Sequence, residues 1–143
     1  MRTAPIRAAA LAVALCAAPA IAQQTEAGTQ VGEPEDGITV LFPTGASVLR
    51  SDQQDQLDQA ARLFRDGNPV VMIITGTADT VGDPSVNLDL SINRARAVAD
   101  GLVARGIPIE RLQVLGQGNS ELPVTTEDEV PNADNRSARI TWR

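Results

Sequence analysis

The sequence predicts an α+β fold, a two-layer βαβαββ sandwich in which the helices pack on one face of a mixed sheet. Three observations support this class. Short apolar runs alternate with two longer stretches whose apolar residues recur at helical spacing. Turn residues separate these segments. With 43% apolar and 21% charged residues, the chain is able to bury a core.

Four segments are predicted as strands. The first covers residues 38–42 and is followed by proline and glycine. The second, residues 70–75 (VVMIIT), is a continuous apolar run, typical of a strand covered on both faces. The third covers residues 111–115 and the fourth residues 138–142. The third and fourth are joined by an acidic, proline-containing segment, residues 116–135, which is long for a structureless connection. The order βαβαβ-β predicts one mixed sheet.

Two helices are predicted between the first three strands. Ser51 and Gln54 form an S-x-x-Q pattern typical of a capping box, and the first helix ends near Gly67. The second helix runs from about residue 88 to residue 105 and ends at Gly106, which suits a left-handed cap. A helical wheel places one stripe of residues toward the core: Leu88, Ser91, Ala95, Val98, Ala99 and Leu102.

The start of the chain is predicted to be a secretory signal covering residues 1–22. Arg2 and Arg7 form its positive region, an apolar stretch follows, and Ala20-Ile21-Ala22 is a typical cleavage site. Residues 23–37 are predicted to form a flexible acidic linker, and residues 38–143 a single folded domain. We therefore expect an exported protein, with no transmembrane segment in the mature chain.

The single cysteine, Cys16, lies inside this leader. Lipidation at Cys16 is the less favoured alternative, because Leu15 stands where a lipoprotein signal usually has a small residue. It would tether the protein to the outer membrane, whereas cleavage after Ala22 leaves it free in the periplasm.

Composition excludes several classes of function. The chain contains no histidine, and all 12 of its basic residues are arginines, which excludes histidine triads, histidine metal sites and Schiff-base lysines. A formal net charge of −6 disfavours binding to nucleic acid. We expect no cofactor, no metal site and no catalytic residue.

A dense motif spans the loop after the second strand and the helix that follows. Residues 76–82 read GTADTVG, and Asn87, Leu90-Ser91 and Arg94-Ala95 come after them. This pattern resembles the signature of the OmpA-like peptidoglycan-binding domain, G-H-T-D-x-x-G-x(4)-N-x-x-L-S-x-x-R-A. The resemblance extends over the predicted domain through Phe42, Gly106-Ile107-Pro108, Gly116-x-Gly118 and Asn135-Arg136.

The resemblance implies non-covalent binding of the peptidoglycan stem peptide, chiefly the zwitterionic end of meso-diaminopimelate, in the periplasm. Asp79 is then expected to bind the ammonium group of the ligand and Arg94 its carboxylate. An acid and a planar guanidinium at a fixed spacing suit such a doubly charged end. The wheel places Arg94 beside the apolar stripe, where it can face the Asp79 loop, and Arg96 on the opposite flank.

Three further residues are assigned to this ligand-binding site. Asn87 is expected to act mainly as a helix N-cap that shapes the loop. Gly82 is expected to supply a backbone shape that other residues do not tolerate. Arg136 either flanks the pocket or pairs with a nearby acid such as Asp134.

The chain departs from the family pattern at three positions. Thr77 and Ala78 replace the usual His-Thr before the acid, and Ser137 replaces a second arginine. These changes predict a weaker affinity. They also leave open an alternative, an interaction or assembly module that kept the fold and lost the ligand, with envelope partners that the sequence does not identify.

A less favoured alternative is a cell-wall hydrolase with paired carboxylates. Asp79 with Asp83, or the acidic run at residues 127–129, would then provide the acid and the base. Acids in a solvated loop are the simpler interpretation of both groups.

Overall fold

A computed structural model describes residues 37–143. The predicted signal peptide, Cys16 and all but the last residue of the predicted linker lie outside the described residues. The strands are β1 (Ile38–Leu41), β2 (Met72–Gly76), β3 (Leu112–Gly116) and β4 (Ser137–Trp142), and the helices are α1 (Gln54–Gly67) and α2 (Pro84–Val103). Short 3₁₀ helices precede α1 and β3.

The four strands form one mixed sheet in the order β1-β4-β2-β3. β2 and β3 are parallel, because α2 connects them as a crossover, whereas β4 lies antiparallel to both β1 and β2. The helices share a core with one face of this sheet, which confirms the predicted two-layer α+β fold. The core contains Val40, Phe42, Leu57, Met72, Ile74, Ala95, Val98, Leu102, Ala138 and Ile140.

Within residues 37–143 no helix covers the second face of the sheet, so the prediction that residues 70–75 are covered on both faces is wrong for this part of the chain. Along β2, Met72 and Ile74 are fully buried, whereas Ile73 and Thr75 are partly exposed. The apolar run is central in the sheet but, among residues 37–143, helices cover only one side of it. A broad groove of about 840 Å³ lies on the open side, with Ile73 and Thr75 in its floor.

The start of α1 also differs from the prediction. Ser51 lies in a 3₁₀ helix, Ser51–Gln53, and α1 begins one turn later without a side-chain cap. The Gln53 side chain instead accepts a hydrogen bond from the backbone N–H of Leu41, at 3.0 Å. The capping box predicted from Ser51 and Gln54 is therefore absent, and the side chain of Gln53 contacts β1.

The helix α2 begins four residues earlier than predicted and ends at Val103, two residues before the predicted end. Its N-cap is Asp83, and Pro84 occupies the first turn. Gly106 follows its end with a positive φ of 90°, which confirms the left-handed cap. The predicted core stripe is correct except for Leu88, which is 43% exposed because it lies beyond the ends of the strands.

Two glycines allow α2 to approach the sheet closely. Gly76 and Gly116 are the last residues of β2 and β3 and lie opposite each other in register. A Cβ atom at Gly76 would lie 1.9 Å from the carbonyl oxygen of Ser91, and one at Gly116 would lie 2.2 Å from Ile92. The absence of side chains here sets the distance between α2 and the strand ends, and so the position of the loop that follows β2.

Gly76→Ala is expected to lower the free energy of unfolding by at least about 2 kcal/mol, because the new methyl group meets backbone that cannot move away alone. Gly67→Ala is the matched control, since a Cβ atom there meets nothing within 4 Å. Urea denaturation of both variants tests this expectation. Equal stabilities would show that α2 does not pack as closely as described.

Candidate functional site

Asp79 lies three residues beyond the end of β2, in the loop that leads to α2. The residue is only 7% exposed. Its carboxylate accepts a hydrogen bond from Nη1 of Arg136 at 3.2 Å, which forms an ion pair across 57 residues of sequence. Asp79 is thus a largely buried acid held by an arginine that directly precedes β4.

Arg94 projects from α2 into the interior and is fully buried. Its Nε donates to the carbonyl oxygen of Ala46 at 2.9 Å, Nη1 to that of Thr77 at 2.9 Å, and Nη2 to that of Pro43 at 3.1 Å. The guanidinium also lies 5.6 Å from the centre of the Phe42 ring. Arg94 faces the Asp79 loop as the wheel predicted, but its charged group lies inside the domain.

The electrostatics of Arg94 follow from this burial. Loss of water lowers the pKa of Arg94 to about 10; the negative charge of Asp79 opposes this shift and the positive charge of Arg136 adds to it. Arg94 therefore remains protonated at neutral pH. The two guanidiniums and one carboxylate form a cluster with a net positive charge.

Arg136 was expected either to flank the pocket or to pair with an acid such as Asp134. Its partner is Asp79, with the arginine side chain 17% exposed and the acid 10%. The Nε atom of Arg136 is buried and has no hydrogen-bond partner among residues 37–143. Its backbone is fixed, since its N–H donates to Ala133 and its carbonyl accepts from Phe42.

Two residues were expected to shape the loop between Asp79 and α2, Gly82 and Asn87. Both contribute to it, but Asn87 does so through a contact other than the predicted one. Gly82 has a φ of 89°, a conformation that favours glycine, which confirms the expectation. Asn87 is not the N-cap, because α2 begins at Pro84 and Asp83 fills that role. The buried Asn87 side chain instead donates to the carbonyl oxygen of Val81 at 3.0 Å, so it fixes the loop from within the helix.

Two of the three departures from the family pattern contact each other. The hydroxyl groups of Thr77 and Ser137 lie 3.1 Å apart within hydrogen-bonding distance, and the Thr77 N–H donates to the Ser137 carbonyl at 2.8 Å. Both residues are buried. Ala78, the third departure, is fully buried and its N–H donates to Gly118. At these positions, therefore, the loop after β2 is buried and hydrogen-bonded to Ser137, the first residue of β4, and to Gly118.

Sequence reasoning missed how the long connection before β4 closes over this loop. The hydroxyl group of Thr80 lies 2.8 Å from the carbonyl oxygen of Glu127 and also accepts from the N–H of Val130. The Glu129 carboxylate accepts from the N–H of Gly82 at 3.3 Å. The one available signal was the threonine directly after Asp79, whose hydroxyl group can bond to backbone.

The geometry gives no support to paired catalytic carboxylates. Asp83 accepts hydrogen bonds from the backbone N–H and the hydroxyl group of Ser85, at 2.7 and 2.5 Å. These contacts hold the pKa of Asp83 below its ordinary value of 3.8, the opposite of what a general acid needs. Within residues 37–143, no three acids or other ligating side chains cluster closely enough to hold a metal ion.

The chain belongs to the OmpA family, whose family model matches residues 41–136. It is 41% identical over 91 residues to outer membrane protein A of Yersinia pseudotuberculosis, an alignment that covers 60% of this chain and 25% of that protein. It is 32% identical over 94 residues to the peptidoglycan-associated lipoprotein of Mesorhizobium japonicum, covering 66% of this chain and 55% of the relative. The chain thus spans only part of the length of these curated relatives.

Solved structures show the same fold. The peptidoglycan-associated lipoprotein of Burkholderia pseudomallei superposes with a TM-score of 0.67 at 25% identity, covering 73% of this chain and 89% of that one. The cell wall anchor of the T6SS from Pseudomonas aeruginosa superposes with a TM-score of 0.58 at 26% identity, covering 71% and 73%. In the part of this chain that the structure describes, neither helix is long and apolar enough to cross a membrane.

The N-cap of α2 predicts a pH dependence of stability. Because hydrogen bonding lowers the pKa of Asp83 in the folded state, its stabilising effect is complete above pH 3.8 and is lost as the pH falls through the folded-state value. The difference in melting temperature between the wild type and Asp83→Asn should therefore shrink between pH 7 and pH 2.5. A melting-temperature difference that stays constant from pH 7 to pH 2.5 would contradict the role of Asp83 as a charged N-cap.

Arg94→Met is expected to lower the free energy of unfolding by about 3–5 kcal/mol, because it leaves three carbonyl groups without donors and removes a buried charge beside Asp79. Arg96→Met, two residues along the same helix but exposed, should change it by less than about 0.5 kcal/mol. Chemical denaturation of both variants measures the contrast. Similar losses in both would exclude a structural role specific to Arg94.

Proposed function

We propose that this domain binds peptidoglycan non-covalently, through the zwitterionic end of meso-diaminopimelate in the stem peptide. In this proposal Asp79 binds the ammonium group of the ligand. The ligand carboxylate lies on the positive side of the cluster, which Arg94 and Arg136 form. Asn87 and Gly82 hold the loop that presents Asp79.

One observation carries this proposal: a single carboxylate is grouped with two guanidiniums beside the loop that carries the family motif. Asp79 pairs directly with Arg136, and its charge acts on the buried Arg94. Both signs of charge needed for a zwitterionic end are thus present in one place. The names of the relatives support the same function, since they include peptidoglycan-associated lipoproteins and a cell wall anchor.

The proposed role is attachment to the cell wall by a protein exported to the periplasm. Charge-assisted hydrogen bonds contribute about 1.5–3 kcal/mol each before the entropic cost of binding, so one stem peptide is held weakly. The wall presents the same peptide many times, and rebinding to neighbouring peptides prolongs retention. Weak individual contacts are therefore compatible with stable attachment.

A second candidate is an interaction module of the same fold that no longer binds the ligand. The observation in its favour is that the site is closed: Asp79 is already paired and Arg94 is fully buried. Titration of the domain with a meso-diaminopimelate tripeptide separates the two candidates. Shifts of the loop amide signals at millimolar ligand support binding, and unchanged signals support the interaction module.

Asp79→Asn is expected to abolish co-sedimentation of the domain with purified sacculi, because the amide cannot pair with an ammonium group as a carboxylate does. Asp100→Asn, an exposed change of the same chemistry on α2, is the matched control and should co-sediment like the wild type. Circular dichroism checks that both variants fold. Undiminished binding of folded Asp79→Asn would exclude Asp79 as the ammonium site.

A further inference from the structure

In the free domain, the carboxylate proposed to bind an ammonium group is already occupied by a cation. Nη1 of Arg136 donates to Oδ2 of Asp79 at 3.2 Å, and both side chains are more than four-fifths buried. A ligand ammonium that binds this oxygen therefore has to replace Arg136. The inference below rests on the proposed function and concerns what Arg136 does when it is replaced.

The donors of Arg136 are only partly used in this pairing. Its Nε–H is buried without an acceptor among the described residues. A buried N–H without a partner is unfavourable, so any arrangement that gives it an acceptor is preferred. In a guanidinium the Nε–H lies parallel to one Nη–H, and this edge matches the two oxygens of a carboxylate.

The other arginine of the cluster is differently placed. Each of the three nitrogen atoms of Arg94 donates to a carbonyl oxygen, and the residue is not exposed at all. A direct contact between Arg94 and a ligand requires the segments at Pro43, Ala46 or Thr77 to move. Arg136 requires only a side-chain rotation, because its backbone is bonded independently to Ala133 and Phe42.

We propose that Arg136 determines the specificity of the site for zwitterionic ligands by exchanging its partner. The ligand ammonium takes the place of the Arg136 guanidinium on Asp79. The released guanidinium then binds the ligand carboxylate through the edge that carries Nε. No covalent bond changes, and every charge that is paired before binding is paired afterwards.

This exchange discriminates against ligands that carry only one of the two charges. A simple ammonium ligand replaces Arg136 but gives it no anion, so a buried cation is left unpaired. A simple carboxylate ligand reaches the buried Nε edge only if the guanidinium rotates away from Asp79, which leaves a buried anion unpaired. Only a ligand with both charges, at the spacing of one amino-acid end, satisfies Asp79 and Arg136 together.

Two tripeptide probes test the exchange, one with meso-diaminopimelate at the third position and one with lysine. They differ by one carboxylate beside the same ammonium group. The wild type is expected to bind the diaminopimelate tripeptide at least about tenfold more tightly, the effect of one bidentate charge-assisted contact. In Arg136→Met this ratio should fall close to one, and the lysine tripeptide should bind more tightly than it does to the wild type, because its competitor is gone.

Two variants provide the controls. Arg139→Met removes an exposed arginine of β4, three residues after Arg136, and should keep the wild-type ratio. Arg136→Lys keeps the positive charge but lacks the pair of parallel N–H groups that binds a carboxylate. It should therefore bind the lysine tripeptide as weakly as the wild type. It should also lose most of the preference for the diaminopimelate tripeptide. Arg136→Lys also keeps the test decisive if Arg136→Met does not fold.

The outcomes separate this inference from the function on which it rests. If folded Arg136→Met keeps the wild-type ratio while Asp79→Asn loses both tripeptides, the exchange is excluded and the proposed function stands. If the wild type binds neither tripeptide, both proposals are excluded. A reduced ratio with stronger binding of the lysine tripeptide supports the exchange, because a purely structural role for Arg136 would weaken both probes alike.

Discussion

The hydrogen bonds of the buried Arg94 guanidinium connect three parts of the chain that are distant in sequence. They join the middle of α2 to the turn after β1, at Pro43 and Ala46, and to the end of the β2 strand region at Thr77. A fully desolvated cation is tolerated here because carbonyl dipoles surround it and the charge of Asp79 lies nearby. The loop that carries Asp79 is thereby fixed against α2, and the geometry of the site depends on it.

The loops around the site are held by side chains that bond to backbone. Ser91 accepts from the N–H of Gly118 at 2.9 Å, and Asn135 bonds to both the N–H and the carbonyl of Val124. Thr80 does the same for the segment at residues 127–130. These contacts explain how the connection of residues 117–136 reaches β4 without a helix or strand of its own.

The departures from the family pattern have a common structural explanation. Thr77 and Ser137 are far apart in sequence, but they meet where the β2 loop passes the start of β4. Two small hydroxyl side chains satisfy each other at this point, with Ala78 packed beside them. Small, buried side chains thus stand where the family pattern has larger or charged ones. Asp79, Arg94 and Arg136 remain grouped.

The sequence by itself determined the kinds and order of the helices and strands, the mixed two-layer fold and the motif that pointed to Asp79 and Arg94. These features follow from periodicity, turn chemistry and glycine conformation, which act over a few residues. Only the tertiary structure decided that Asp79 pairs with Arg136, that Arg94 lies inside the domain and that Asp83 rather than Asn87 caps α2. It also decided that the helices of residues 37–143 cover only one face of the sheet. The physical reason is that a polar side chain bonds to the partner that the fold brings within about 3 Å. Asp79 and Arg136 are 57 residues apart, so no local sequence pattern predicts that they pair.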